Sequence, residues 1–412
     1  MRHGDRERLS VGCVVGWLTS AAFLAYLCRN SMGVLESTIR NDLELTVEQV
    51  GWMMAAFFWP YALLQVPAGW MAARWGTRVS LALSAVGWSL GAIAVGLSQR
   101  FWQLALGQVL MGAAQAGVFP SSMRSYREWV SSDARARACA MSAVGMQFGA
   151  ISAAFLTGSL LFWMSWRSIY AVYAIPCLIW SVGFYLFFRD RGESCDTIDL
   201  EHDADKASHI PWGRIVSSQG VWCLCLQQVF RASGYIFFAS WLPTLMQETR
   251  DVSVATSGWM QGMVFAGSTV GSLVGGRLCD KILRETNNRR WSRAGVGAVC
   301  TFGSALLVLA AYFVQDATRM IGLVTMAAML AGAAGPAAYV ASIDLGKQHV
   351  STVFGLMNMF GNVGAAMTPI LVGRFFALSG NWNLVLCFFA AVYLSASVCW
   401  LLLDPHRSIV DA

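Results

Sequence analysis

Charge is scarce in this sequence. Asp, Glu, Lys and Arg make up 13% of its 412 residues, against roughly 25% in ordinary soluble domains. With 56% hydrophobic residues and a mean hydropathy of +0.53, this excludes a soluble globular chain and points to one that crosses a membrane many times. Histidine is scarcer still: His3, His202, His209, His349 and His406 all fall in loops or tails. That excludes an imidazole metal centre and an intramembrane histidine relay. The 11 cysteines form no C-x-x-C pair and no metal spacing with histidine; most, such as Cys13, Cys28, Cys177, Cys300, Cys387 and Cys399, lie in apolar runs and read as small buried hydrophobes. No nucleophile–base pair, metal spacing or phosphate loop supports an enzyme, and no cofactor is expected. The net charge of +6 resides mostly in loops, so it is not a nucleic-acid footprint.

What the sequence has is apolar runs of spanning length, each near the roughly 20 residues a bilayer requires. They fall at about 11–35, 48–72, 79–98, 101–123, 137–162 and 166–188, then 218–246, 254–279, 294–314, 319–343, 350–378 and 382–403. The expected architecture is all-α, with about 12 transmembrane helices in two six-helix bundles, 11–188 and 218–403. The stretch 189–217, containing RDRGESCDTIDLEHDADK, is too acidic and too poor in apolar residues to fold alone and reads as a solvated linker. Residues 1–10 and 404–412 are short tails, and the span that follows the charged start is too long for a signal-peptide core, so no cleavage is expected.

Lys and Arg set the orientation. One family of loops carries Arg2, Arg6 and Arg8, then Arg74 and Arg78, then Arg124, Arg127, Arg135 and Arg137, then Arg189, Arg191, Lys206 and Arg214, then Lys281 to Arg293. The alternate loops carry little beyond Arg40, Arg100, Arg167, Arg250 and Arg319. The first family is therefore cytoplasmic, and both termini and the linker face the cytoplasm of a plasma-type membrane. Trp163, Trp166, Trp241 and Trp382 stand near span ends and read as an interfacial belt. Pro243, Pro336 and Pro369 are expected to break or kink helices.

Against this apolar background one charge stands out. Arg29 lies deep in the first span, VGCVVGWLTSAAFLAYLCRNSMGVL, with no acid within a helical turn. A guanidinium at that depth costs about 3 kcal/mol on insertion scales and needs a protein interior or aqueous cavity and an anionic partner. Helical spacing places Tyr26, Arg29 and Gly33 on one face. In the second half Arg231 occupies a similar place in LCLQQVFRASGYIFF, with Gln227, Gln228 and Tyr235 on one polar stripe. The halves read as a parallel duplication with the binding site at mid-membrane between them. Two buried guanidiniums and no central carboxylate, with Glu36 and Asp344 near span ends, make an electropositive cavity that an incoming organic anion would complete, since arginine suits bidentate carboxylate or phosphate recognition. The plainer alternatives are a structural ion pair or carbonyl contacts for Arg29, and bracing of the bundle for Arg231.

The stretch FFWPYALLQVPAGWMAARWGTR, Phe57 to Arg78, resembles the loop signature of the major facilitator superfamily, G-x-L-x-D-R-x-G-x-R. Gly69, Arg74, Gly76 and Arg78 match it, while Ala73 replaces its acid. A second copy, GRLCDK, keeps Gly276, Leu278, Asp280 and Lys281. The loss of the acid at Ala73 should weaken the first gating-loop latch. Within the superfamily the chain resembles the anion:cation symporter family, carriers of sugar acids, other organic anions and phosphate, nearly end to end; YALLQVPAGW, GAAQAGVFPSSMR, SWLPTLMQETRDVS and IDLGKQHVSTVFGLMNMFGNVGAAMTPILVG carry the likeness. The resemblance implies substrate contacts from Arg29, Tyr61, Gln147 and one of Asn358 and Asn362. At the coupling positions it places neutral residues: Cys28 where the first-helix acid usually stands, Gln108 for the fourth-helix arginine and Gln115 for its glutamate. Each of these polar residues could instead be interhelical glue.

The sequence thus reads as a monomeric secondary transporter of a small organic anion, a sugar acid or similar carboxylate, working by alternating access in the lipid bilayer. Proton coupling lacks its usual residues, which leaves uniport, exchange or another coupling ion. A non-transporting sensor of the same fold is the rival from a different class.

Overall fold

The computed structural model describes residues 10–190, 212–347 and 350–404. The tails and most of the 189–217 linker lie outside the described residues, and so do the expectations attached to them. Among the described residues every regular element is helical.

α1 (Val11–Asp42) has 32 residues, about 48 Å at 1.5 Å per residue, longer than a hydrocarbon core of about 30 Å. α2 (Val47–Leu63) and α3 (Gln65–Gly96) follow; α4 (Phe101–Gln115), α5 (Val118–Trp129), α6 (Ser132–Leu160) and α7 (Trp166–Phe187) complete the first half. The second half runs through a short α8 (Trp212–Ser217), α9 (Gln219–Ser240), α10 (Leu242–Arg250) and α11 (Val254–Thr286). A π-turn at Trp291–Gly295 then leads into α12 (Val296–Tyr312), followed by α13 (Ala317–Gly346), α14 (Val350–Ser379) and α15 (Trp382–Leu402).

Eight of these helices are long and apolar enough to cross a membrane, where the hydropathy pattern expects about 12 spans. The other four expected spans have visible reasons for missing that mark. The spans at 48–72 and 101–123 are each broken in two, at Leu64 and at Ala116–Gly117, which leaves helices of 17 and 15 residues. The span at 218–246 breaks at Trp241, but its 22-residue α9 is long enough and is diluted instead by Gln219, Gln227, Gln228 and Arg231. α11 is unbroken, but its apolar face is diluted by Gly, Ser, Thr and Gln.

The helices form two compact units. The first comprises the described parts of 1–31, 56–153 and 163–206; the second takes 32–55, 154–162 and 207 onward. In the first unit α1 contacts α4 and α7, and α3 packs on α4, α5 and α7. An aromatic column fills the space beside it: Trp180 and Phe184 stack at 4.7 Å, Phe184 and Phe188 at 4.4 Å, and Trp17 meets Trp180 edge-on at 5.7 Å. Trp180 also donates to Ser20 at 2.8 Å, so its one polar atom is satisfied in the core.

In the second unit the main pairs are α11 with α13, α9 with α14, and α12 with α15. The α11–α13 contact rests on small residues, because a Cβ at Gly271 or Gly332 would strike the facing backbone. The end of α1 joins this unit through polar contacts. Glu36, fully buried, pairs with Arg40 at 2.8 Å and accepts from Thr244 of α10. Arg40 also pairs with Glu248, which accepts from the indole of Trp382. The tryptophan belt is corrected in part. Trp163 is exposed, but Trp166, Trp241 and Trp382 are buried, and Trp241 and Trp382 pack together at 5.5 Å. They seal helix ends rather than face lipid headgroups.

Candidate functional site

Between residues 21 and 30 of α1 only Phe23, Tyr26 and Arg29 escape full burial, three residues apart on one helix face. Arg29 is boxed by rings. Its Cζ lies 4.7 Å from the centroid of Phe58, 4.8 Å from Phe57, and 5.2 Å from both Tyr26 and Tyr61. Phe57 and Tyr61 stack at 5.8 Å and 18°, and Phe57 meets Phe58 edge-on at 5.3 Å. α2 therefore presents a three-ring platform, with Tyr26 closing the box from α1. No carboxylate pairs with Arg29 among the described residues. Ring faces carry negative quadrupole potential and hold a cation without neutralising it; the Tyr61 hydroxyl also accepts a hydrogen bond from Arg29, and a guanidinium with five N–H donors has others to offer an anion.

The platform is backed by α4. Gly112 meets the backbone carbonyl of Phe57 so closely that no Cβ fits. Gln115, buried one turn on, donates from Nε2 to the carbonyl of Ala25 at 3.0 Å. Its amide is glue between α4 and α1, the plainer of its two readings. Gln108 is also buried. Cys28 faces α7, with its Sγ 3.6 Å from that of Cys177 and 4.0 Å from the carbonyl oxygen of Tyr173. Gln147, on α6, is half-buried. The structure thus groups Tyr26, Arg29 and Tyr61, while Cys28 and Gln115 are engaged elsewhere.

In the second unit Arg231 donates from Nε and Nη2 to Gln228 Oε1, at 3.2 and 3.0 Å. It also has no carboxylate partner among the described residues. Gln227 is fully buried and donates to the carbonyl of Leu224 at 2.9 Å, so it is structural. Tyr235, half-buried, packs on Phe265 at 5.7 Å. α14 passes Gln228 at Gly361, whose missing side chain makes room for that glutamine. Asn358 is exposed and Asn362 half-buried on the same helix.

The loop motif has a different chemistry from the one expected. Gly76 has φ 82° and ψ 165°. Asp190 fills the space at its Cα and accepts from the backbone N–H groups of Thr77 at 2.8 Å and Arg78 at 3.1 Å. Arg78 donates to the carbonyl of Tyr185 at 2.6 Å and lies 4.4 Å from that ring. Arg124 donates to the carbonyls of Ala72 and Ala73 and pairs with Glu128 at 2.6 Å. Arg74 leans on Trp70 at 5.6 Å, and Gly69 approaches Pro120. In the second copy Gly276 approaches Pro336, Asp280 is exposed with its carbonyl accepting from Arg284, and Lys281 pairs loosely with Glu285 at 3.8 Å. A firmer ion pair lies beside it: buried Arg293 meets Asp344 at 3.1 Å. No cluster of three or more metal-ligating side chains occurs among the described residues.

Sequence reasoning missed Phe57, Phe58, Asp190 and Arg293 as site or latch residues. An aromatic pair in an apolar span carries no signal of its own, although its spacing of three and four residues from Tyr61 on a helix was available.

Residues 18–369 and 253–411 match the family model described as Major Facilitator Superfamily. Among characterised or named proteins, the chain is similar to the probable sulfoacetate transporter SauU of Cupriavidus necator, 22% identical over 96% of this chain and 94% of that protein. It is 24% identical to a D-galactonate transporter of Escherichia coli over 92% of both, and 25% identical to the hexuronate transporter of Escherichia coli over 96% and 94%. Among solved structures, a bacterial homolog of the human lysosomal transporter Spinster, inward-facing and unoccupied, superposes with a TM-score of 0.76 at 20% identity, covering 97% of this chain and 95% of that one.

Proposed function

Because this chain belongs to the major facilitator superfamily, we propose that it carries a small organic anion across a membrane by alternating access, with Arg29 as the anchor for the anionic group. The observation that supports this most is an intramembrane guanidinium held by four rings and by no acid. Such a charge is tolerated when a ligand supplies the missing anion. Three relatives aligned nearly end to end are by name carriers of sulfoacetate, D-galactonate and hexuronate, all organic acids. A sugar acid or similar carboxylate is the substrate class that follows. Tyr26 and Tyr61 flank the anion, and Gln147 belongs to the same unit. Arg231, Tyr235 and an asparagine of α14, Asn358 or Asn362, supply the contacts of the second half.

Coupling does not use a proton. The thiol of Cys28 packs on Cys177 and the amide of Gln115 is committed to Ala25. Glu36 and Asp344 are each held by arginine. The termini and the 189–217 linker lie on the cytoplasmic side by the arginine and lysine asymmetry.

A thermal-shift screen of the purified protein against a carboxylate library, followed by uptake of the best ligand into proteoliposomes, tests the proposal. A ligand that binds the folded state raises its melting temperature by mass action. Stabilisation without uptake would support the sensor instead.

A further inference from the structure

The box around Arg29 bears on which anionic group the site accepts. The platform of Phe57, Phe58 and Tyr61 is nearly closed to solvent, at 3%, 7% and 7% exposure. Behind it, Gly112 brings the backbone of α4 against that of Phe57. Within this box the guanidinium supplies one positive charge, and the surrounding walls are rings. Tyr26 and Tyr61 offer hydroxyls, while Phe57 and Phe58 offer none.

Resting on the reading of Arg29 as the anion anchor, we propose that Phe57 and Phe58 are positioning residues that make this site selective for a singly charged planar or compact head, carboxylate or sulfonate, over the doubly charged phosphate of a monoester. Three physical terms point this way. A ring face offsets the buried cation without occupying its N–H donors, so an incoming acid displaces no counterion. One guanidinium balances one charge, and the second charge of a phosphate monoester, whose second pKa is about 6, would enter a ring-lined space where only the neutral hydroxyls of Tyr26 and Tyr61, and no second cation, could meet it. The desolvation of that surplus charge is the dominant cost. The guanidinium is also a planar fork that meets a carboxylate edge-on through two N–H donors, which a lysine cannot reproduce.

The test uses the intact purified protein at pH 7.5 and matched pairs of probes: gluconate with glucose 6-phosphate, and benzoate with phenyl phosphate, with inorganic phosphate as a fifth. Affinities are read by thermal shift and by competition against the ligand found in the carboxylate screen. The expected result is that the carboxylate member of at least one pair binds about tenfold or more tightly than its phosphate partner, and that inorganic phosphate competes weakly. Phe58→Leu and Phe57→Leu, which keep apolar bulk but remove the ring, should weaken carboxylate binding by about tenfold and narrow the carboxylate-to-phosphate ratio. Phe58→Tyr should retain both the affinity and the ratio. A merely structural role would move stability but not the ratio. Phosphate binding equal to or tighter than carboxylate binding, or Leu variants with an unchanged ratio, would overturn the head-group inference and leave the anion-carrier reading standing. No response to any organic anion would overturn both.

Discussion

Asp190 accepts hydrogen bonds from the backbone N–H groups of Thr77 and Arg78 in the space left by the absent side chain of Gly76. The loop signature lacks its own acid, since Ala73 stands at that position, yet a carboxylate reaches the same turn from the end of α7. Gly76 is in a backbone region open essentially to glycine alone. Gly76→Ala is therefore expected to cost about 1–3 kcal/mol from the backbone, with a further clash against Asp190. Asp190→Asn should cost about 1 kcal/mol or more, as a charged cap is lost from freshly exposed helix donors. Melting temperatures in detergent check both, and an Asp190→Asn protein as stable as the parent would remove Asp190 from the latch.

The network about Arg40 makes a sharper stability test. Glu36 is fully buried, and Arg40 bridges it to Glu248. Arg40→Gln leaves a buried carboxylate without its cation, and about 3–5 kcal/mol of stability should go with it. Pairing it with Glu36→Gln should recover part of that loss, because the orphaned charge goes too. A double variant less stable than Arg40→Gln would contradict this account of the network.

Proton coupling is expected to be absent. With substrate as the sole driving gradient, uptake into proteoliposomes holding a pH dye should proceed without matching lumenal acidification. An imposed pH gradient alone should drive no accumulation. Gln115→Glu is a poor way to restore an acid here: it replaces a donor with an acceptor facing the carbonyl of Ala25, and should cost about 1–3 kcal/mol. Uphill accumulation driven by a pH gradient alone would mean that a proton carrier exists elsewhere.

Much of this was legible in the sequence, and the parts that were not share a cause. Intramembrane charges are rare because they are costly, so Arg29 and Arg231 stood out against the apolar runs without any structure. Tyr26 followed from helical period. Phe57 and Phe58 did not, because an aromatic residue in an apolar span looks the same whether it packs against lipid, core or guanidinium. Asp190 was invisible as the partner of Gly76 because the contact spans more than a hundred residues of chain. A hydropathy window averages over the breaks at Leu64 and Trp241, and proximity to a span end could not tell the buried Trp241 and Trp382 from the exposed Trp163.

Arg231 is the second guanidinium deep within a span with no acid partner among the described residues, and it donates to Gln228. Arg231→Ala should weaken ligand binding by about 2 kcal/mol if it meets the ligand's charge. Gln228→Ala should have a smaller effect through the loss of orientation. Unchanged affinity in Arg231→Ala would assign this arginine to bracing its own bundle.

Anion binding at Arg29 is open to one direct titration. The best ligand from the carboxylate screen is titrated into the parent protein, Arg29→Ala and Arg29→Lys, with each melting temperature recorded first without ligand. The expected result is an Arg29→Ala protein that inserts and folds but binds about 30-fold or more weakly, with Arg29→Lys nearly as impaired because a point charge cannot reproduce the fork. An Arg29→Ala protein that binds the ligand with the affinity of the parent would contradict the account.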